Sequence, residues 1–213
     1  MNKSVLIEPE ASAPAKPGRQ EARTRETRDL LMRAAKTIFI RDGYEGTDLN
    51  DIAELAGRTK GAIYGHFKGK EEIFLALIAQ HRQDYRDNIR RLLSKDPTQN
   101  IALIRKFLVD LAEDHEWALL QLEFKMYILR NPEAKKRYQD VYTPWNSDRE
   151  EGYAKLIGAA SNGKRSVSRA MVLHSIIPML SALLLEAQFD PDLMTEESIK
   201  NLIGRVFDCL VGC

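Results

Sequence analysis

Apolar residues recur at three- and four-residue spacing through most of this chain, and nowhere do they alternate in the register of a half-buried strand. Leu31, Ala34, Ala35, Ile38 and Phe39 predict a first helix over about residues 24–41, stopped by Asp42-Gly43. Thr47 stands at the N-cap position of a short second helix over about 48–55, with Asp48 and Asp51 in its first turn, where carboxylates suit the helix dipole. Gly57 ends that helix, Thr59 caps a third, and Ala62 and Ile63 give the third its apolar contacts. Beyond Phe67 a long amphipathic stretch through Ile73, Phe74, Leu77, Ile78, Tyr85, Ile89, Leu92 and Leu93 predicts a fourth helix of roughly 35 Å. Further helices are expected over 100–113 and 115–130, from Pro132 toward Thr143-Pro144, over 167–187, and over 195–211.

The fold class is therefore all-α, with about nine helices. Three domains of sequence follow: a disordered tail over 1–20, carrying Pro9, Pro14 and Pro17, a three-helix segment over 21–70, and a larger helical domain over 71–213. With 213 residues, 44% of them hydrophobic, the chain is long enough for one substantial core or for a small domain docked on a larger one. It lacks the run of about 18 apolar residues that a membrane span needs, and its amino terminus lacks the order of a signal peptide, so a cytoplasmic location is expected. Cys209 and Cys213, four residues apart, could close only a trivial loop.

Net charge changes the picture only locally. The whole chain carries +1, which announces no polyanionic partner. Between Leu55 and Lys70, however, every charged residue is basic: Arg58, Lys60, Lys68 and Lys70. That window coincides with the second and third helices, where Ala53, Gly57 and Ile63 occupy the crossing, turn and pinning positions of a helix-turn-helix. A core αα-hairpin shares the apolar spacing but gives no reason for a single sign of charge. Thr47 and Thr59 with Lys60 would hold phosphates while the short third helix enters a major groove, and Tyr64 and His66 add hydrogen-bonding groups.

The run Ile52-Ala53, Ala56-Gly57 and Thr59-Lys60-Gly61-Ala62-Ile63-Tyr64-Gly65-His66-Phe67-Lys68-Gly69-Lys70, followed by Glu71-Glu72-Ile73-Phe74, resembles the TetR family of bacterial regulators. The resemblance is strong over residues 24–75 and rests elsewhere on size and helix order. It implies a repressor that binds palindromic operator DNA as a homodimer through its last two helices and is released by a small-molecule effector. It also implies that Thr47, Thr59, Lys60, Tyr64, His66 and Lys70 contact phosphate, that Gly61 permits close approach, and that Gly65 lies near base edges. Arg58 departs from the small apolar residue usual in the turn, and its guanidinium is expected near phosphate or base. Leu49 departs from a common threonine.

In the carboxyl domain, Trp117, Phe124, Met126, Tyr127, Tyr142 and Trp145, with His174, are candidates for an apolar effector pocket between helices, although aromatics at this spacing also build cores. Glu123 is expected at the surface, and Pro178 is expected to kink its helix. No His-Glu-x-x-His, paired Cys-x-x-Cys or phosphate-loop motif is present, so neither an enzyme nor a metal site or cofactor is expected. The competing reading is a helical ligand-binding or scaffolding protein that has lost DNA binding.

Overall fold

The computed structural model describes residues 18–94, 96–142 and 169–211, and within them it contains nine α-helices and no strand. Helix α1 spans Arg19–Gly46, α2 Leu49–Leu55, α3 Lys60–Tyr64 and α4 Lys70–Leu92. They are followed by α5 (Pro97–Asp110), a single 3₁₀ turn at Leu111–Glu113, α6 (His115–Arg130) and α7 (Pro132–Tyr142). The last two are α8 (Arg169–Glu186) and α9 (Glu196–Val211). No helix among the described residues is long and apolar enough to cross a membrane.

Helix α1 begins five residues earlier than the apolar pattern suggests. Its first turns bury nothing, so periodicity cannot mark them. The Glu21 carboxylate accepts the Gly18 N–H at 3.1 Å and starts the helix without an apolar face. At the other end Gly43, with φ +70°, breaks the ladder where the stop is expected, and one further turn runs on to Gly46. Helix α5 is set three residues earlier than expected, with Pro97 at its first position and the 3₁₀ turn closing it. Pro178 lies inside α8 with an exposed ring.

Two apolar cores hold these helices. In one, Leu31, Ile38 and Phe39 of α1 meet Ile52 of α2, Ile63 of α3 and Phe74 of α4, together with Leu120, Phe124 and Tyr127 of α6 and Ala134 of α7. In the other, Ile104 and Leu108 of α5 pack with Ile176, Leu180 and Leu184 of α8 and Ile199, Ile203 and Phe207 of α9. The first core runs straight across residue 70. The three-helix head is thus seated on α6 and α7 as well as on α4. Cys209 is exposed on α9, and Cys213 lies outside the described residues.

Candidate nucleic-acid interface

The turn between α2 and α3 is fixed by its own backbone. Arg58 N donates to Ala53 O and Gly57 N to Glu54 O, both at 2.9 Å, the paired bonds of a Schellman motif, with Gly57 at φ +62°. A residue in the place of Arg58 usually folds back onto the helix as an apolar contact. Here its guanidinium stays exposed and donates from Nη1 to Gly57 O at 3.0 Å. Thr59 caps α3 by accepting the Ala62 N–H at 3.3 Å. Ile52, Ala53 and Ile63 are buried and pin the two helices face to face.

That packing decides which side chains remain outside. Arg58, Thr59, Lys60, Gly61, Tyr64 and Gly65 are all exposed, Tyr64 by 57%, and His66 is half-buried. A Cβ at Gly61 would meet only Thr59 Oγ1, at 3.7 Å, so this patch is open to a partner's close approach. Lys68 is exposed, and its backbone N–H donates to Glu72 Oε2 at 2.5 Å. The patch thus offers two cations, a hydroxyl, a phenol and two glycines on one short helix and its leading turn. Such a set suits phosphate and base edges.

Two polar residues assigned to phosphate lie elsewhere in the head. Thr47 is not the N-cap of α2: that role belongs to Asp48, whose carboxylate accepts the Asn50 N–H at 2.6 Å. Thr47 is instead 5% exposed, and its hydroxyl donates inward to Gly43 O at 2.6 Å. An aspartate one residue later outcompetes it because the break at Gly43 leaves a carbonyl that the threonine hydroxyl can satisfy. Lys70 reaches back across the joint and donates from Nζ to the carbonyls of Glu45 and Thr47, each at 3.1 Å.

The aromatic residues of α6 are spent on the seat of the head. Tyr127 lies 4.1 Å from Tyr44 between ring centroids, and Phe124 and Tyr127 both meet Phe74 edge-on. Trp117 stacks on His81 of α4 at 3.6 Å, and Lys36 Nζ of α1 lies 5.2 Å from the same indole while pairing with Glu116 at 2.7 Å. Trp117, Phe124 and Tyr127, which the sequence offers as candidates for an effector pocket, thus also join head to body. The side chains of Tyr142 and His174 and the whole of Trp145 lie outside the described residues. Glu123 is half-buried rather than at the surface, and its Oε1 would stand 2.8 Å from a Cβ on Gly43.

Burial, and then its hydrogen bond to Tyr127, hold the Tyr44 phenol well above its ordinary pKa. Tyr127 is raised chiefly by burial and shares a further hydrogen bond with Glu71. Glu71 in turn pairs with Arg137 of α7. A polar chain thus crosses the junction from α1 through α6 and α4 to α7. Apolar periodicity does not single out Tyr44, Glu71, His81 or Arg137. The one sequence signal was Tyr44 itself, a large aromatic placed immediately beyond a predicted helix stop.

The family of bacterial regulatory proteins designated tetR matches residues 31–77, from the first buried residue of α1 into α4. Over these residues the chain is similar to the TetR family. Over 91 residues it is 37% identical to the HTH-type transcriptional regulator TtgR of Pseudomonas putida, a match covering 43% of each chain. It is 27% identical over 192 residues to the HTH-type nicotine-responsive transcriptional repressor HdnoR of Paenarthrobacter nicotinovorans, covering 87% of this chain and 96% of that one. Against the first curated relatives it spans about half their length, 57% and 43%. Its fold is similar to that of the transcriptional regulator FadR from Bacillus subtilis in complex with stearoyl-CoA, with a TM-score of 0.62 at 19% identity, covering 86% of this chain and 97% of that one. The part of the TetR-family match that is strongest in sequence is the head; the body is similar in fold.

Proposed function

We propose that this chain is a TetR-family cytoplasmic transcriptional repressor that binds palindromic operator DNA as a homodimer and is released by a small-molecule effector. The observation that carries the reading is the exposed face of α3 and its turn, a set of cationic, hydroxyl and glycine positions held by a buried Ile52–Ala53–Ile63 contact. Lys60 and Thr59 hold phosphates, Arg58 lies beside the backbone or a base edge, and Tyr64 and His66 hydrogen-bond along the groove while Gly61 and Gly65 let the helix approach. HdnoR, named as nicotine-responsive, and FadR, solved with stearoyl-CoA, support a small organic effector. Its binding would favour a conformation in which α4 carries the two heads out of register with the operator.

Dimerisation is supported by α9. Ile199, Ile203 and Phe207 face the second core, leaving Leu202 at 43% and Leu210 at 39% exposure with Cys209 beside them. An exposed apolar row of this kind on one helix fits a second copy packed about a twofold axis.

The test is operator binding across salt. A duplex selected from a random pool by the wild-type chain is titrated with Lys60→Ala and Tyr64→Ala. Loss of one phosphate contact at Lys60 should lower affinity and flatten the slope of log K against log salt by about 0.9. Unchanged affinity in both variants would sink the assignment of α3 as the reading helix.

A further inference from the structure

We infer that Lys70 is a positioning residue for DNA recognition, a clamp across the joint between α1 and α2, and not a phosphate contact. This rests on the regulator reading of α3 and deepens it by naming what holds that helix at its working angle.

Helix α1 ends with unsatisfied carbonyls, as every helix does. The break at Gly43 interrupts its last turn, and no basic residue of its own lies in that turn. Its negative end therefore favours a cation supplied from elsewhere in the chain. Lys70 supplies one from 23 and 25 residues away, giving Nζ–H to Thr47 O and Glu45 O, both at 3.1 Å. The ammonium also lies 4.7 Å from the centroid of Tyr44, whose ring is packed between Phe74 and Tyr127.

The position of Lys70 is otherwise unfavourable. It is the first residue of α4, where a positive charge opposes the helix dipole. Two of its three N–H donors are spent on carbonyls of the α1–α2 joint, and the side chain is half-buried. Thr47 works in the same place from the other side, its hydroxyl donated to Gly43 O. The lysine thus fastens the end of α1 and the approach to α2 onto the first turn of α4. The neighbouring Glu71 fastens that turn to Arg137 of α7. Two consecutive side chains couple the head to the body.

The test compares Lys70→Met, which keeps the stem and removes the donors, with Lys70→Arg, which can donate to both carbonyls, and with Lys70→Gln, a milder variant in case the methionine protein folds poorly by circular dichroism. Operator affinity is measured across salt on the selected duplex, and amide exchange is followed at Asn50 and Ile52, at the start of α2. A clamp predicts binding weaker by about tenfold in the methionine and glutamine variants, with an unchanged salt slope. It also predicts faster exchange at both amides and recovery of affinity and exchange with arginine. A slope flattened by about 0.9 identifies a phosphate contact and overturns the inference whatever exchange does. Unchanged exchange, or failure of arginine to restore it, overturns the inference too. If the wild-type chain selects no duplex, the regulator reading falls, and exchange at Asn50 and Ile52 alone then decides whether Lys70 holds the joint.

Discussion

Gly57 holds φ at +62° with open space around it, so the reason for glycine there is conformational and not steric. Gly57→Ala should destabilise the protein by about 1 kcal/mol, the usual cost of a Cβ in the left-handed region, measurable as a lower urea midpoint at unchanged m-value. His81 is a different kind of residue-scale feature. Burial against Trp117, then the charges of Lys36 and Arg82 acting against that of Asp84, lower its pKa from 6.5 to about 4. The folded protein keeps the imidazole neutral where the unfolded chain protonates it. Stability contributed by this group is therefore fully present above about pH 6.5 and is lost as pH falls toward 4. His81→Phe should flatten the decline of stability between pH 7 and pH 5, a difference on the order of 1 kcal/mol. Chemical denaturation at the two pH values measures it, and an undiminished decline in the variant would refute the assignment.

At the scale of elements, much was legible in the chain and the exceptions share a cause. Helices α2, α3, α4, α6 and α9 fall within a few residues of where apolar spacing and capping residues put them, because each buries a stripe and is flanked by a breaker. The start of α1 was invisible because Arg19 to Glu26 bury nothing and are held by local bonding alone. The N-cap of α2 was misplaced by one residue because Thr47 and Asp48 are both good caps by type, and only the carbonyl freed at Gly43 decides between them. The exposed face of α3 was readable from residue types, since burial of Ile63 leaves Lys60 and Tyr64 outside. The partners of the α6 aromatics were not, since periodicity tells that a ring is buried but not against which helix. Helix α9 carries a contact of the same hidden kind: Arg105 of α5 grips Asp208 through two bonds, at 2.6 and 2.8 Å, across Gly204. The match in charge is visible in the sequence, but the pairing across 103 residues is not.

For the whole molecule, the proposed homodimer would be held by the outer row of α9, with the second core behind it. Leu210→Glu with Leu202→Glu would place charge on the exposed side without touching Ile203 or Phe207, so each subunit should stay folded. Sedimentation should then give a monomer whose affinity for a palindromic duplex is strongly reduced. A dimer that persists would move the interface to another face.

The first core has a further consequence for engineering. Because Phe39, Tyr44 and Phe74 close on Phe124 and Tyr127, the reading head owns only part of the wall around its own interior. It is not a cassette. A chimera that transplants residues 19–70 onto a different body leaves those rings facing an unfamiliar surface, so specificity can be moved between relatives only together with α6, α7 and the first turns of α4.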